Sequence, residues 1–109
     1  AMPSRPHPDE NPAMQAFIAQ RQSDLLTRAI AVVRDCPDDA LAPEAHRLAG
    51  TLGTYQLIEA HDACRDLERV ALTAGATTAD IATARADTLA RLEQIAEDLS
   101  TPDGSEPPA

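Results

Sequence analysis

The chain has 109 residues, of which 43% are hydrophobic but only 2% aromatic, and its nine basic and eighteen acidic side chains leave a net charge of −9. That length holds one domain at most. An interior of alanine, leucine, isoleucine and valine suits close-packed helices better than sheets, which draw on aromatic and β-branched residues. The acidic balance, with no lysine or arginine cluster among aromatics, argues against nucleic acid as a partner, and no apolar run is long enough to span a bilayer.

Residues 1–12 carry Pro3, Pro6, Pro8 and Pro12 among polar neighbours and read as a tail or linker. No basic stretch followed by an apolar one marks export, so a cytoplasmic location is expected, with Cys36 and Cys64 reduced. From Ala13 to about Cys36, Met14, Phe17, Ile18, Leu25, Leu26, Ala29, Ile30, Val32 and Val33 recur at three and four, the spacing of a first long helix. Gln20, Arg21, Gln22 and Asp24 interrupt its stripe and leave room for a break near Ser23. Cys36-Pro37-Asp38-Asp39 forms a turn.

A second helix is expected from about Leu41 through Gly53, with Pro43 in its first turn, Glu44 complementing the helix dipole, and Tyr55 tucked inward where the chain reverses. The third, about Leu57 to Thr73, aligns Leu57, Ala60, Cys64, Leu67 and Ala71, with Ile58 and Val70 at the edges and Gly75 as C-cap. The fourth starts after Thr77 or Thr78 and runs to about Leu99, with Ile81, Ala84, Thr88, Leu92, Ile95 and Leu99 inward. Short connections between helices of similar length predict an all-α fold, an up-down antiparallel four-helix bundle over residues 13–99, able to complete itself as a monomer. Residues 100–109 read as a second tail or linker.

One histidine stands out. At about 100° of rotation per residue, Leu41, Ala45, Leu48 and Leu52 share one apolar stripe, and His46 points about 130° away from it. Gly50 and Gly53 fall on the histidine's face, with Ala42 and Ala49 close by. Glycine inside a helix costs about 1 kcal/mol against alanine, so two of them beside one exposed imidazole call for a reason, and close approach of another molecule is the natural one.

The run Ala45-His46-Arg47-Leu48-Ala49-Gly50-Thr51-Leu52-Gly53-Thr54-Tyr55, followed by the Leu67-Glu68 pair on the next helix, resembles the signature of the histidine-containing phosphotransfer (Hpt) family, in a variant similar to the Hpt modules of multidomain response regulators. The resemblance covers about the middle quarter of the chain, and the helical pattern fits that family's four-helix bundle. It implies a two-component phosphorelay in which His46 is transiently phosphorylated. The partner would be the receiver domain of a response regulator, a histidine kinase, or both. The carrier would have no ATP-dependent kinase activity and no cofactor of its own, the Mg²⁺ being on the receiver. Gly50 would be the point of closest approach, with Gly53, Ala49, Arg47 and Ala42 around it in docking.

Two positions depart from the usual family pattern. Ala49 stands where many members carry a lysine, removing a cation that could hold phosphoryl oxygens, and Arg47 lies about 100° round the helix from His46. Gln56 stands where glycine is common at the following turn, either altering that turn or supplying a hydrogen bond near the site. Ala49 and the acidic surface also motivate an alternative, a non-phosphorylated interaction module binding a receiver or another domain of its parent protein. A third reading is a helical bundle with a purely structural role. The dimerisation helices of a histidine kinase fit less well, since Arg47 and Thr51 occupy places where that class carries an acidic residue and a proline.

Other constellations are thinner. His61-x-x-Cys64 offers two metal ligands where a site needs three or four, so no metal is expected, and His61 reads as a polar residue at the edge of a buried face. No Walker loop, Gly-rich nucleotide fingerprint or Ser/His/Asp arrangement is present.

Overall fold

A computed structural model describes residues 12–100. Its regular structure is four helices, α1 Pro12–Asp35, α2 Asp38–Thr54, α3 Ile58–Leu72 and α4 Thr78–Ser100, each packed against its neighbours in the chain, with α4 closing back onto α1. The up-down four-helix bundle is therefore the fold. Of the expected tails, 1–12 and 100–109, residues 1–11 and 101–109 lie outside the described residues, while Pro12 and Ser100 belong to the ends of α1 and α4. No described helix is long and apolar enough to cross a membrane.

Leu26, Ala29 and Val33 of α1, Leu41, Ala45 and Leu52 of α2, Ala60, Cys64 and Leu67 of α3, and Leu92 of α4 form the buried centre, joined by Leu57 from the turn before α3. α1 runs without a break through Ser23, because Gln20 and Asp24 bond one another across a turn and no helix breaker intervenes. Only its second half is core. Met14, Phe17 and Ile18 are exposed, contrary to the inward stripe expected of them, because the residues of α1 that reach the core are Leu26, Ala29 and Val33, further along the helix. Ile58 and Leu99 also stay at the surface, where their helices enter and leave the bundle.

Two boundaries differ from the sequence reading, at the start of α2 and the end of α3, whereas α4 begins after Thr77 as expected. α2 starts at Asp38, with Pro37 in extended conformation as N-cap and Asp38 and Asp39 in the first turn at the positive end of the dipole. Pro43 is therefore an interior residue and leaves the Asp39 carbonyl without its helical donor, a loss that solvent offsets because Asp39 is exposed. Glu44 serves as an ion-pair partner, 2.7 Å from Arg47. Thr73 caps α3 instead of Gly75, which lies in the connecting turn with φ +85°, a conformation suited to glycine. α4 opens on a reciprocal cap, in which Thr77 Oγ1 accepts from the Asp80 N–H and Asp80 Oδ2 accepts from the Thr77 N–H, both at 3.0 Å.

Arg85 on α4 ties the far end together. Its Nη1 donates to the carbonyls of Val33, at 2.6 Å, and Cys36, at 2.9 Å, while Nη2 reaches the Asp38 carboxylate. One guanidinium thus closes the end of α1 and anchors the start of α2. At the opposite end, Gln22 donates to the Tyr55 carbonyl and Arg21 sits over the half-buried Tyr55 ring. Cys36 and Cys64 are both free thiols. Burial pushes the Cys64 thiol up to about 11, an effect the positive charge of Arg91 partly offsets.

Candidate functional site

α2 lies more closely against α3 than against α1, and this decides which of its residues are covered. The buried arc takes in Leu41, Ala45, Ala49 and Leu52, while Leu48 is only partly covered. The inward face is thus rotated from the expected stripe toward α3. His46 stays outside it, with its side chain 75% exposed.

The imidazole is not free on both sides. Its Nδ1 lies 3.0 Å from Oε2 of Glu68 on α3, a carboxylate only 17% exposed. A carboxylate can only accept, so in the neutral ring the proton sits on Nδ1 and donates to Glu68, leaving the Nε2 lone pair unprotonated. The second oxygen of Glu68 is 3.9 Å from Nε of Arg65, one turn earlier on α3. Glu68 was legible in the sequence only as half of the Leu67-Glu68 pair, with no role attached; its contact with His46 depends on how two helices meet.

The residues expected around His46 separate into two groups. Gly50 is exposed, and a Cβ built on it meets nothing within 4 Å, so the fold does not require glycine there. Ala42 and Arg47 border an open depression together with Pro43, His46, Glu68 and Leu72. Arg47 is held by Glu44 and is 68% exposed. Ala49, by contrast, is 2% exposed and belongs to the core, because α3 covers that side of α2; its side chain is not part of a docking surface.

Gly53 also has an internal explanation. A Cβ there would lie 3.1 Å from Nδ1 of His61, whose ring packs across the helix at this point. His61 Nδ1–H donates to the Ala49 carbonyl at 2.8 Å, which fixes the ring against α2 and fits its expected place at the edge of a buried face. Of the two glycines on the histidine's face, one makes room for a neighbouring side chain and the other opens to solvent.

Gln56 adopts φ +64°, the left-handed conformation that glycine takes without strain, so the turn forms with a larger residue in the same backbone state. Its N–H donates to the Gly53 carbonyl at 3.0 Å. Eight residues of helical rise, about 12 Å, separate His46 from Thr54 at the end of α2, and Gln56 lies in the turn beyond it, while the side chain bonded to the histidine is Glu68. Among the described residues no group of three or more His, Cys, Asp or Glu side chains could hold a metal ion.

Compared with protein-family models, curated protein sequences and solved structures, the chain gives no match.

Proposed function

We propose that the chain is a histidine phosphocarrier, exchanging a phosphoryl group between His46 and the aspartate of a receiver domain in a two-component phosphorelay. The observation that carries this reading is one exposed imidazole whose Nδ1 lies 3.0 Å from the carboxylate of Glu68, an acceptor that assigns the ring proton of the neutral form to Nδ1 and leaves the Nε2 lone pair for a nucleophile's task. The resemblance of the surrounding residues to the Hpt signature supports it independently of the geometry.

The chemistry needs little else from this chain. The Nε2 lone pair attacks phosphorus of the receiver's aspartyl phosphate, an N–P bond forms, and the P–O bond breaks with its electron pair leaving on the aspartate carboxylate. The ring gains positive charge as the bond forms. Glu68, already on Nδ1–H, stabilises that charge with a fixed carboxylate and keeps the ring oriented. The return transfer retraces the path, with the aspartate attacking the phosphoramidate. Mg²⁺ bound by the receiver would balance charge on the phosphoryl oxygens, and Gly50 gives the incoming domain a stretch of α2 without a side chain.

The test is phosphoryl transfer from an acetyl-phosphate-charged receiver of the same organism to the wild-type chain and to His46→Gln. Acid-labile label on the wild type alone is the expected result. A folded wild-type chain that takes no label from several receivers, or a labelled His46→Gln, overturns the assignment.

A further inference from the structure

Arg65 is the arginine on α2 or α3 whose guanidinium has no hydrogen-bond partner among the described residues. Arg47 lies 2.7 Å from Glu44, and Arg69 lies 2.9 Å from Asp66. Arg65 comes only within 3.9 Å of Glu68, beyond hydrogen-bonding distance, and its side chain is 59% exposed. It therefore stands beside the carboxylate that holds His46 without being consumed by it. A planar guanidinium presents a fork of donors matched to the oxygens of a phosphoryl group.

The antiparallel register of α2 and α3 gives its location. His46 meets Glu68 and Gly53 meets His61, so Arg65 lies across from the Ala49–Gly50 turn, one turn along from the imidazole on the seam between the helices. Ala49 offers no charge and is buried, and Gly50 has no side chain, so nothing on α2 fills the space over that turn. A flexible arginine reaching from α3 has open access to it.

We propose that Arg65 is the phosphoryl-binding cation of this site, donating from its guanidinium to the oxygens of a phosphoryl group on His46 Nε2. The proposal rests on the phosphocarrier reading and adds to it the residue that neutralises the bound group. Glu68 and Arg65 then divide the work: the carboxylate faces the positive ring, and the guanidinium faces the negative phosphoryl oxygens. Arg65 forms and breaks no covalent bond.

The experiment phosphorylates the whole chain with phosphoramidate, whose P–N bond breaks with ammonia as leaving group, and follows the phosphohistidine by ³¹P NMR as pH is varied. Wild type, Arg65→Ala, Arg65→Lys and the equally charge-depleted Arg69→Ala are compared, with helix content checked by circular dichroism. A cation against the phosphoryl oxygens favours their deprotonated form. Arg65→Ala should therefore raise the midpoint of phosphoryl protonation by about half a unit, as expected for one partly solvated ion pair. It should also slow phosphorylation about threefold at low salt. Arg65→Lys should recover most of both effects, and Arg69→Ala should produce neither. An Arg65→Ala variant with the wild-type midpoint and rate overturns the role of Arg65 and leaves the phosphocarrier reading standing. A folded wild type that forms no phosphohistidine overturns both.

Discussion

Glu68→Gln tests the link between the fold of α2 on α3 and the chemistry at His46. Glutamine keeps the size of the side chain and can still accept from Nδ1–H through its amide oxygen, so the ring orientation survives and only the negative charge is removed. With Nδ1 and Oε2 at 3.0 Å, the ring and carboxylate charges sit about 4 Å apart, where the Coulomb interaction is about 4 kcal/mol at an effective dielectric of 20 and about 1 kcal/mol in water. The imidazole is largely exposed and the carboxylate is not, so the value lies toward the lower limit, about 1 to 2 kcal/mol. On the phosphocarrier reading, N–P bond formation adds positive charge to the ring, so this energy falls on the transition state and the product of transfer. At about 1.4 kcal/mol per factor of ten, Glu68→Gln should slow transfer about 5- to 30-fold. The assay is the single-turnover rate of label appearing on the chain from a phosphorylated receiver in excess. A rate within twofold of wild type, with helix content unchanged, would refute the idea that the carboxylate charge assists the histidine.

The two glycines on the histidine's face should answer oppositely to alanine. Gly50→Ala adds a methyl group that meets nothing and should stabilise the chain by about 0.5 to 1 kcal/mol through helix propensity. Gly53→Ala places one 3.1 Å from the His61 ring and should lose that gain or reverse it, so a urea midpoint for Gly53→Ala equal to that of Gly50→Ala would contradict the packing account. Cys64, buried and with its thiol pushed up to about 11, should react with iodoacetamide at pH 8 far more slowly than half-buried Cys36, and the difference should vanish in denaturant; equal native-state rates, read by mass spectrometry of the labelled peptides, would show that Cys64 is not sequestered.

Much of this molecule was open to reading along the chain. Apolar spacing at three and four determined four helices, short connections made them antiparallel neighbours, and the angle between His46 and the Leu41, Ala45, Leu48 and Leu52 stripe placed the histidine at the surface. These are properties of single helices, in which the neighbours of a residue follow from its position in sequence. The tertiary structure decided what covers the sides of α2. α3 lies close enough to bury Ala49, to set the His61 ring against Gly53, and to bring Glu68 to Nδ1 of His46 with Arg65 beside it. The contacts between the two helices join Gly53 to His61, Ala49 to His61 and His46 to Glu68, and they depend on the rotation and register of one helix against another, which the periodicity of either helix leaves undetermined.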